Sequence, residues 1–344
     1  MIADTEADAR MKVGIIGCGF IAREAHLPAY QSLGIEITGV SDPIVSNARS
    51  CARKFGAKKW FKDYQDLLKE PVDLVSICTP SHTHAAIAID AANAGKHVLV
   101  EKPMATSLEE ADRMIEASEA SNVRLGVVHN YRLVPCVQKA KRCVEDGRIG
   151  TILSMHVVGH DFIPTHSGWF YYKWGLLDDI GSHLIDIVNY LCGSPMVEAK
   201  VIARDYLGSM NCFTHVLAVL LLENGAAVSL DLSWITGSYE MTFKVLGTAG
   251  ALNVDIRNNH LSEIHGYSTP LEELGSTLRK LLGIGRGVLD GTYFKGYLQY
   301  HQLVIRHFVD CIANGGPTPM SGAEGRAVIA MIDSIKRSSD GAVS

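Results

Sequence analysis

Three groups of residues in this chain have types and spacing that could do chemistry. The first is Gly17-Cys18-Gly19-Phe20-Ile21-Ala22, a G-x-G-x-x-A run between the apolar stretch Val13–Ile16 and a helical pattern. Gly17 can make the tight turn, Gly19 has no Cβ to keep a pyrophosphate from the backbone, and Ala22 lets helix and strand pack closely. The free N–H groups at the helix start then face the anion. A second apolar run, Ile35–Val40, ends in Ser41-Asp42, 25 residues after Gly17. That is close to the spacing at which an acid meets a ribose 2′-hydroxyl. A carboxylate there repels a 2′-phosphate, and no Arg or Lys follows it until Arg49. The expected cofactor is therefore NAD rather than NADP.

The second group is Glu101-Lys102-Pro103, directly after the apolar run His97–Val100. Ligands of open α/β sheets collect at the carboxyl ends of the strands, which places Lys102 where a nicotinamide and its substrate would lie. Pro103 biases Lys102 toward an extended backbone, and the bond between them is a candidate for cis. The third group is Asp179-Ile180-Gly181-Ser182-His183, expected to open a helix over Asp179–Leu191. Asp179 and His183 are four apart and share a helix face. A neutral imidazole can accept a hydroxyl proton near working pH. In a first turn the helix dipole would favour that neutral form, while Asp179 would orient the ring and push the other way. Each group alone has a plainer reading: a glycine turn, a solvated lysine, an N-cap beside a core histidine.

The elements that must position these residues follow from periodicity. Short apolar runs at Val13–Ile16, Ile35–Val40, Lys58–Phe61, Val72–Cys78, His97–Val100 and Arg124–Val128 alternate with amphipathic stretches such as Tyr64–Lys69, His84–Ala94 and Leu108–Ser121. Such alternation implies a parallel sheet covered on both faces, a Rossmann domain over 11–130. Pro28 predicts a kink in the first helix, and Ser107 with Glu110 predicts a capped start for another. Pro135–Asp146 reads as a linking helix. From Thr151 the texture changes to strand-like runs at Ile152–Val158, Val197–Asp205, Val216–Leu222, Ala226–Trp234 and Glu240–Leu246, with Asn224-Gly225 as a hairpin turn. The second domain, 131–337, is thus expected to be α+β, with a large, mostly antiparallel open sheet. The glycine-rich segment 262–300 reads as a packed loop, with a flexible excursion or lid as the alternative, and helical patterns return at Tyr300–Ala313 and Ala323–Arg337, with the option of packing back on the first domain.

Composition narrows the function classes. The 344 residues are 47% hydrophobic and 20% charged, with a net charge of −5. These values suit two ordinary globular domains and imply no broad basic face for nucleic acid. The eight cysteines include no C-x-x-C pair, and with the histidines they show no compact metal-ligand spacing, so free thiols in a reducing, cytoplasmic compartment and no metal are expected. The longest dense apolar run, Val216–Leu222, is too short to span a bilayer. The first ten residues are polar and acidic, without the apolar core of a signal peptide, and are expected to be a loose tail.

Together, the nucleotide turn, Glu101-Lys102-Pro103 and Asp179-x-Gly181-x-His183 resemble the Gfo/Idh/MocA family, which includes glucose–fructose oxidoreductase and inositol dehydrogenases. The resemblance covers residues 11 to 337. It implies hydride transfer between NAD and a secondary hydroxyl of a sugar, cyclitol or nucleotide-linked sugar. It also implies homodimers or homotetramers formed through the open sheet. By motif, Lys102 and His183 are the catalytic pair and Asp179 their partner. Thr79-Pro80, with His82 and His84, resembles the nicotinamide-side loop. Asn130-Tyr131-Arg132 resembles the substrate-facing segment, with Asn130 and Arg132 at the ligands. The segment His160–Lys173 is rich in aromatics, and Trp169 and Tyr171 are candidates to line a sugar ring. Where relatives carry a glycine run, this chain has Trp174-Gly175-Leu176-Leu177-Asp178-Asp179; the four-residue offset to His183 selects Asp179. Two other readings share the resemblance: an NAD-dependent glycosidase that holds its cofactor, and a nucleotide-sensing regulator.

Overall fold

The computed structural model describes residues 11–163, 172–208, 212–266, 274–275, 277–278, 280–283, 285 and 298–340. The first ten residues, Trp169, Tyr171 and most of the glycine-rich stretch lie outside them. The contacts divide the chain into two units. One runs to Asn130 and resumes for Leu298–Ile329; the other holds Tyr131–Tyr297 and the residues from Ala330.

In the first unit, each predicted apolar run is a strand: β1 Lys12–Ile16, β2 Glu36–Ser41, β3 Lys59–Phe61, β4 Leu74–Ile77, β5 His97–Val100 and β6 Leu125–Val127. Neighbours pair in parallel in the order β3-β2-β1-β4-β5-β6. All four residues of β4 are buried, as a strand with both faces covered must be. Helices α1 Leu27–Ser32, α2 Val45–Phe55, α3 Tyr64–Leu68, α4 His84–Asn93 and α5 Leu108–Ala120 fill the connections. Strand order reverses between β1 and β4, so the crevice that receives ligands opens at their carboxyl ends.

Two local predictions meet the structure in detail. Pro28 has no N–H to give, and its ring crowds the carbonyl four residues back. The chain makes a wide π-type turn over Ala22–His26 before α1 begins, and His26 ends fully buried. Ser107 caps α5 by accepting from Glu110 N–H at 3.2 Å. The Glu110 carboxylate instead takes the Thr106 N–H and hydroxyl, one residue outside the reciprocal capping box.

The second unit holds helix α6, Pro135–Glu145, and seven strands: β7 Ile152–His160, β8 Met196–Arg204, β9 His215–Leu222, β10 Ala227–Ser233, β11 Glu240–Gly247, β12 Ala251–Asp255 and β13 His260–Ile264. Their order is β13-β12-β11-β7-β10-β9-β8, antiparallel throughout except for the parallel pair β7–β10. The strands β12 and β13 were not anticipated. They are short and carry Asn253, Asp255, Ser262 and Glu263, residues that depress a strand reading. In β9 burial alternates: Val216, Ala218, Leu220 and Leu222 are buried, while Leu217, Val219 and Leu221 are exposed. One face of the sheet carries helix α7, Ser182–Cys192. The other leaves Val197, Ile202, Leu217, Val219 and Leu221 in solvent.

Helix α8, Leu298–Asn314, belongs to the first unit, and helix α9, Gly322–Asp340, closes the described chain. Ile329 of α9 joins the core of the parallel sheet. Among the described residues no helix is long and apolar enough to cross a membrane, and all eight cysteines are free thiols.

Candidate active site

At the end of β1, Gly17 has a φ of +94°, and a Cβ added there would lie 2.6 Å from the Cys78 carbonyl oxygen. Only glycine fits. Gly19 differs: an added Cβ would meet no atom within 4 Å, so open ground lies in front of the turn. Asp42 does more than await a ribose. Its Oδ2 accepts from Cys18 N–H at 2.9 Å and its Oδ1 from Ile44 N–H at 2.8 Å, bracing the turn against the end of β2. Cys18 contributes backbone, since its side chain is buried; Ala22 is buried too, Ile21 half-buried, and Phe20 exposed. Arg23 escaped the sequence reading. Its Nε donates to the Cys18 carbonyl at 2.8 Å and its Nη2 to the Asn47 carbonyl at 3.1 Å, tying the turn to α2. A lone Arg after the motif gave no signal of this.

The open cradle at Gly19, the helical turn from Ala22 and the carboxylate of Asp42 fit a dinucleotide, and these residues would hold it. Gly19→Leu is therefore expected to keep the melting temperature of the parent. It should weaken NAD binding by about 10–100-fold, roughly 1.4–2.8 kcal/mol. Calorimetric titration with NAD checks this.

The loop after β4 adjoins the turn, and the loop after β5 comes next in strand order. Thr79 and Pro80 are half-buried, His82 is exposed and His84 is buried. Nδ1 of His84 lies 2.9 Å from the Pro103 carbonyl oxygen and Nε2 lies 2.8 Å from that of Thr79. The imidazole thus sits between the two loops, and burial holds its pKa below the usual value, favouring the neutral ring that donates to one of the two carbonyls. The Lys102–Pro103 bond is cis. Within Glu101-Lys102-Pro103, only Lys102 is half-exposed. Glu101 turns inward, accepting from His26 Nε2 at 2.7 Å. Asn130 is also buried, its Nδ2 3.2 Å from His301 Nδ1.

In the second unit the helix does not begin at Asp179, as predicted. Helical residues run from Gly175, and a π-type turn over Leu177–Gly181 leads into α7. Buried Leu176, Leu177 and Ile180 carry the apolar face upstream. His183 therefore lies inside the helix, where the end field has faded, and the dipole argument for it falls. Such wide turns often sit at functional sites. The two adjacent acids separate clearly. Asp178 is buried and taken up internally, receiving Tyr172 Oη at 2.6 Å and Lys336 Nζ at 2.8 Å. Asp179 and His183 stay half-buried. The Tyr131 ring stacks on His183 at 4.3 Å and 14°, an orienting contact that the sequence did not reveal. Gly181 admits close packing, since a Cβ there would lie 2.8 Å from Leu177 Cδ1 and 3.0 Å from Leu232 Cδ1.

Residues 11–129 match the oxidoreductase family with an NAD-binding Rossmann fold, and residues 137–253 match the GFO/IDH/MocA C-terminal domain. The chain belongs to the Gfo/Idh/MocA family. It is 28% identical to levoglucosan dehydrogenase of Pseudarthrobacter phenanthrenivorans, covering 95% of this chain and 96% of that one. It is 26% identical to myo-inositol 2-dehydrogenase of Thermotoga maritima, covering 95% and 96%. The WlbA dehydrogenase from Bordetella pertussis, solved with NADH and UDP-GlcNAcA, superposes with a TM-score of 0.83 at 23% identity, over 97% of this chain and 96% of that one.

This Gfo/Idh/MocA member is thus an NAD-binding oxidoreductase. Its motif residues fall into two sets. Lys102, Asp179 and His183 are half-buried; Glu101, His84, Asn130 and Arg132 are buried. The Arg132 guanidinium grips Asp186, with Nε 2.9 and 2.8 Å from the two carboxylate oxygens and Nη2 2.6 Å from one of them. It also lies 5.0 Å over the Tyr190 ring. This arginine, expected at the substrate, secures the helix that carries His183.

Proposed function

We propose that the protein reversibly oxidises a secondary hydroxyl of a sugar, cyclitol or nucleotide-linked sugar. NAD, when bound, accepts the hydride. His183, oriented by Tyr131 and paired with Asp179, takes the hydroxyl proton. Lys102 hydrogen-bonds the same oxygen, opposing the build-up of negative charge there. The observation that carries this reading is the exposure pattern after β5: Glu101 and Pro103 are buried and Lys102 alone is left accessible, at the strand ends where ligands collect. Relatives named for levoglucosan and myo-inositol support a polyhydroxylated ring as substrate. The test is a screen for NAD reduction against sugars, inositols and nucleotide sugars. Free NADH should accumulate with at least one of them. Cleavage of a glycosidic bond without NADH release would point to the glycosidase reading, and silence toward every compound to the regulator.

We also propose a cytoplasmic homodimer or homotetramer built on the open face of the large sheet. Its support is the exposed apolar set Val197, Ile202, Leu217, Val219 and Leu221, a patch of the kind that marks interaction surfaces. Replacing Val219 and Leu221 together by Lys is expected to give monomers by light scattering, with the fold kept. An unchanged mass would remove this face as the interface.

A further inference from the structure

Glu101 is 6% exposed, and its surroundings are unusual for a carboxylate. Two imidazoles face the same oxygen: His26 Nε2 at 2.7 Å and His301 Nε2 at 3.6 Å from Oε1. Both rings are buried, at 0% and 2% exposure. Each is oriented from behind by another side chain. Nδ1 of His26 lies 3.3 Å from Ser76 Oγ, which is itself 2.6 Å from Tyr30 Oη. Nδ1 of His301 lies 3.2 Å from Asn130 Nδ2. In both rings, therefore, Nε2 is turned to the carboxylate. The second oxygen, Oε2, accepts from the Lys102 backbone N–H at 3.3 Å.

We propose that His26 and His301 are positioning residues for Lys102: they hold the Glu101 carboxylate in place and ionised, and through it the peptide from which Lys102 extends. This rests on the catalytic reading of Lys102 given above. Burial alone would push a carboxyl toward its neutral form. Here burial does raise the Glu101 pKa, but the His26 hydrogen bond and the charges of His301, His26 and Lys102 outweigh it and hold the group at about 2. Cys78 and His84 also lie within its field. A protonated Glu101 would be a poorer acceptor for the Lys102 N–H. The grip on the loop would then loosen, and turnover would fall as pH drops through the Glu101 titration. His301 comes from α8, so the C-terminal return of the chain becomes part of the apparatus behind the lysine.

The experiment uses the full chain labelled with 13C at the glutamate carboxyls, with the Glu101 resonance followed against pH. In the parent it should titrate well below the ordinary carboxylate range. In His301→Leu the midpoint should rise by about one pH unit, in keeping with the loss of an N–H donor turned toward the carboxylate. His301→Gln, which keeps a donor, should restore most of the shift. With a substrate in hand, kcat of His301→Leu should fall below that of the parent, with NAD affinity unchanged. The proposal is overturned if Glu101 titrates in the ordinary range in the parent, or if His301→Leu lowers kcat equally at every pH without moving the resonance. Should His301→Leu not fold, the parent and His301→Gln titrations decide alone: an ordinary midpoint in the parent, or a midpoint in His301→Gln raised by about a full pH unit or more above the parent's, refutes it. The carboxyl titration needs no substrate, so failure of the dehydrogenase reading and failure of this network are seen separately.

Discussion

Lys102→Ala and His183→Ala are each expected to lower turnover by about 10²–10⁴-fold, the usual value of positioned acid–base help. NAD affinity should stay within about twofold, because the residues that would hold the dinucleotide lie around Gly17, Gly19 and Asp42 and remain untouched. The two variants should differ in pH dependence. Without His183, residual activity should climb as pH rises, since solvent hydroxide takes over the base's task. Without Lys102, the loss should be spread across pH, because a hydrogen-bond donor to the substrate oxygen is missing rather than a base. Lys102→Arg should recover little: its charge is retained, but a planar fork replaces a compact ammonium. Steady-state kinetics and NAD titration on the same preparations check all three.

Arg132→Met is expected to cost about 3–5 kcal/mol of stability, because it strands a buried carboxylate without its partner. The side chains of Arg132 and Asp186 are 5% and 1% exposed, so solvent offers Asp186 almost no replacement. The double variant Arg132→Met, Asp186→Leu should recover most of that loss, since it removes both desolvated charges at once. Asp186 lies three residues after His183 on α7. The single variant should therefore also lower turnover, and the double variant should restore part of it. Urea unfolding of the three proteins gives the answer. A single-variant loss under about 1 kcal/mol would mean that the pair behaves like a surface salt bridge.

What the sequence disclosed and what it hid divide along a physical line. Local rules found the elements of the first unit, because buried parallel strands read as unbroken apolar runs and Gly17 needs a backbone angle that other residues avoid. Local rules also found the hairpin at Asn224-Gly225, where Gly225 has a φ of +85°, and five strands of the large sheet to within two residues. They missed β12 and β13, whose polar alternation carries little signal until neighbouring strands cover it. They also misplaced the start of the helix that carries His183, because the π-type turn over Leu177–Gly181 has no periodicity of its own. The residue types of the candidate site were legible; their commitments were not. Nothing in the order of residues says that Glu101 would face His26 and His301, that Arg132 would grip Asp186, or that Tyr172 and Lys336 would claim Asp178. Those pairings join positions up to 200 residues apart, and only folding decides them.

The most direct test of the central claim is a double-variant cycle on the rate of NAD reduction, measured with any substrate that the screen yields. If Lys102 and His183 act on one hydroxyl, Lys102→Ala with His183→Ala should be little slower than the slower single variant, as for groups that work as a unit. If the two losses instead multiply in full, or if either single variant turns over like the parent, the pair does not serve a common oxygen and the proposed chemistry fails.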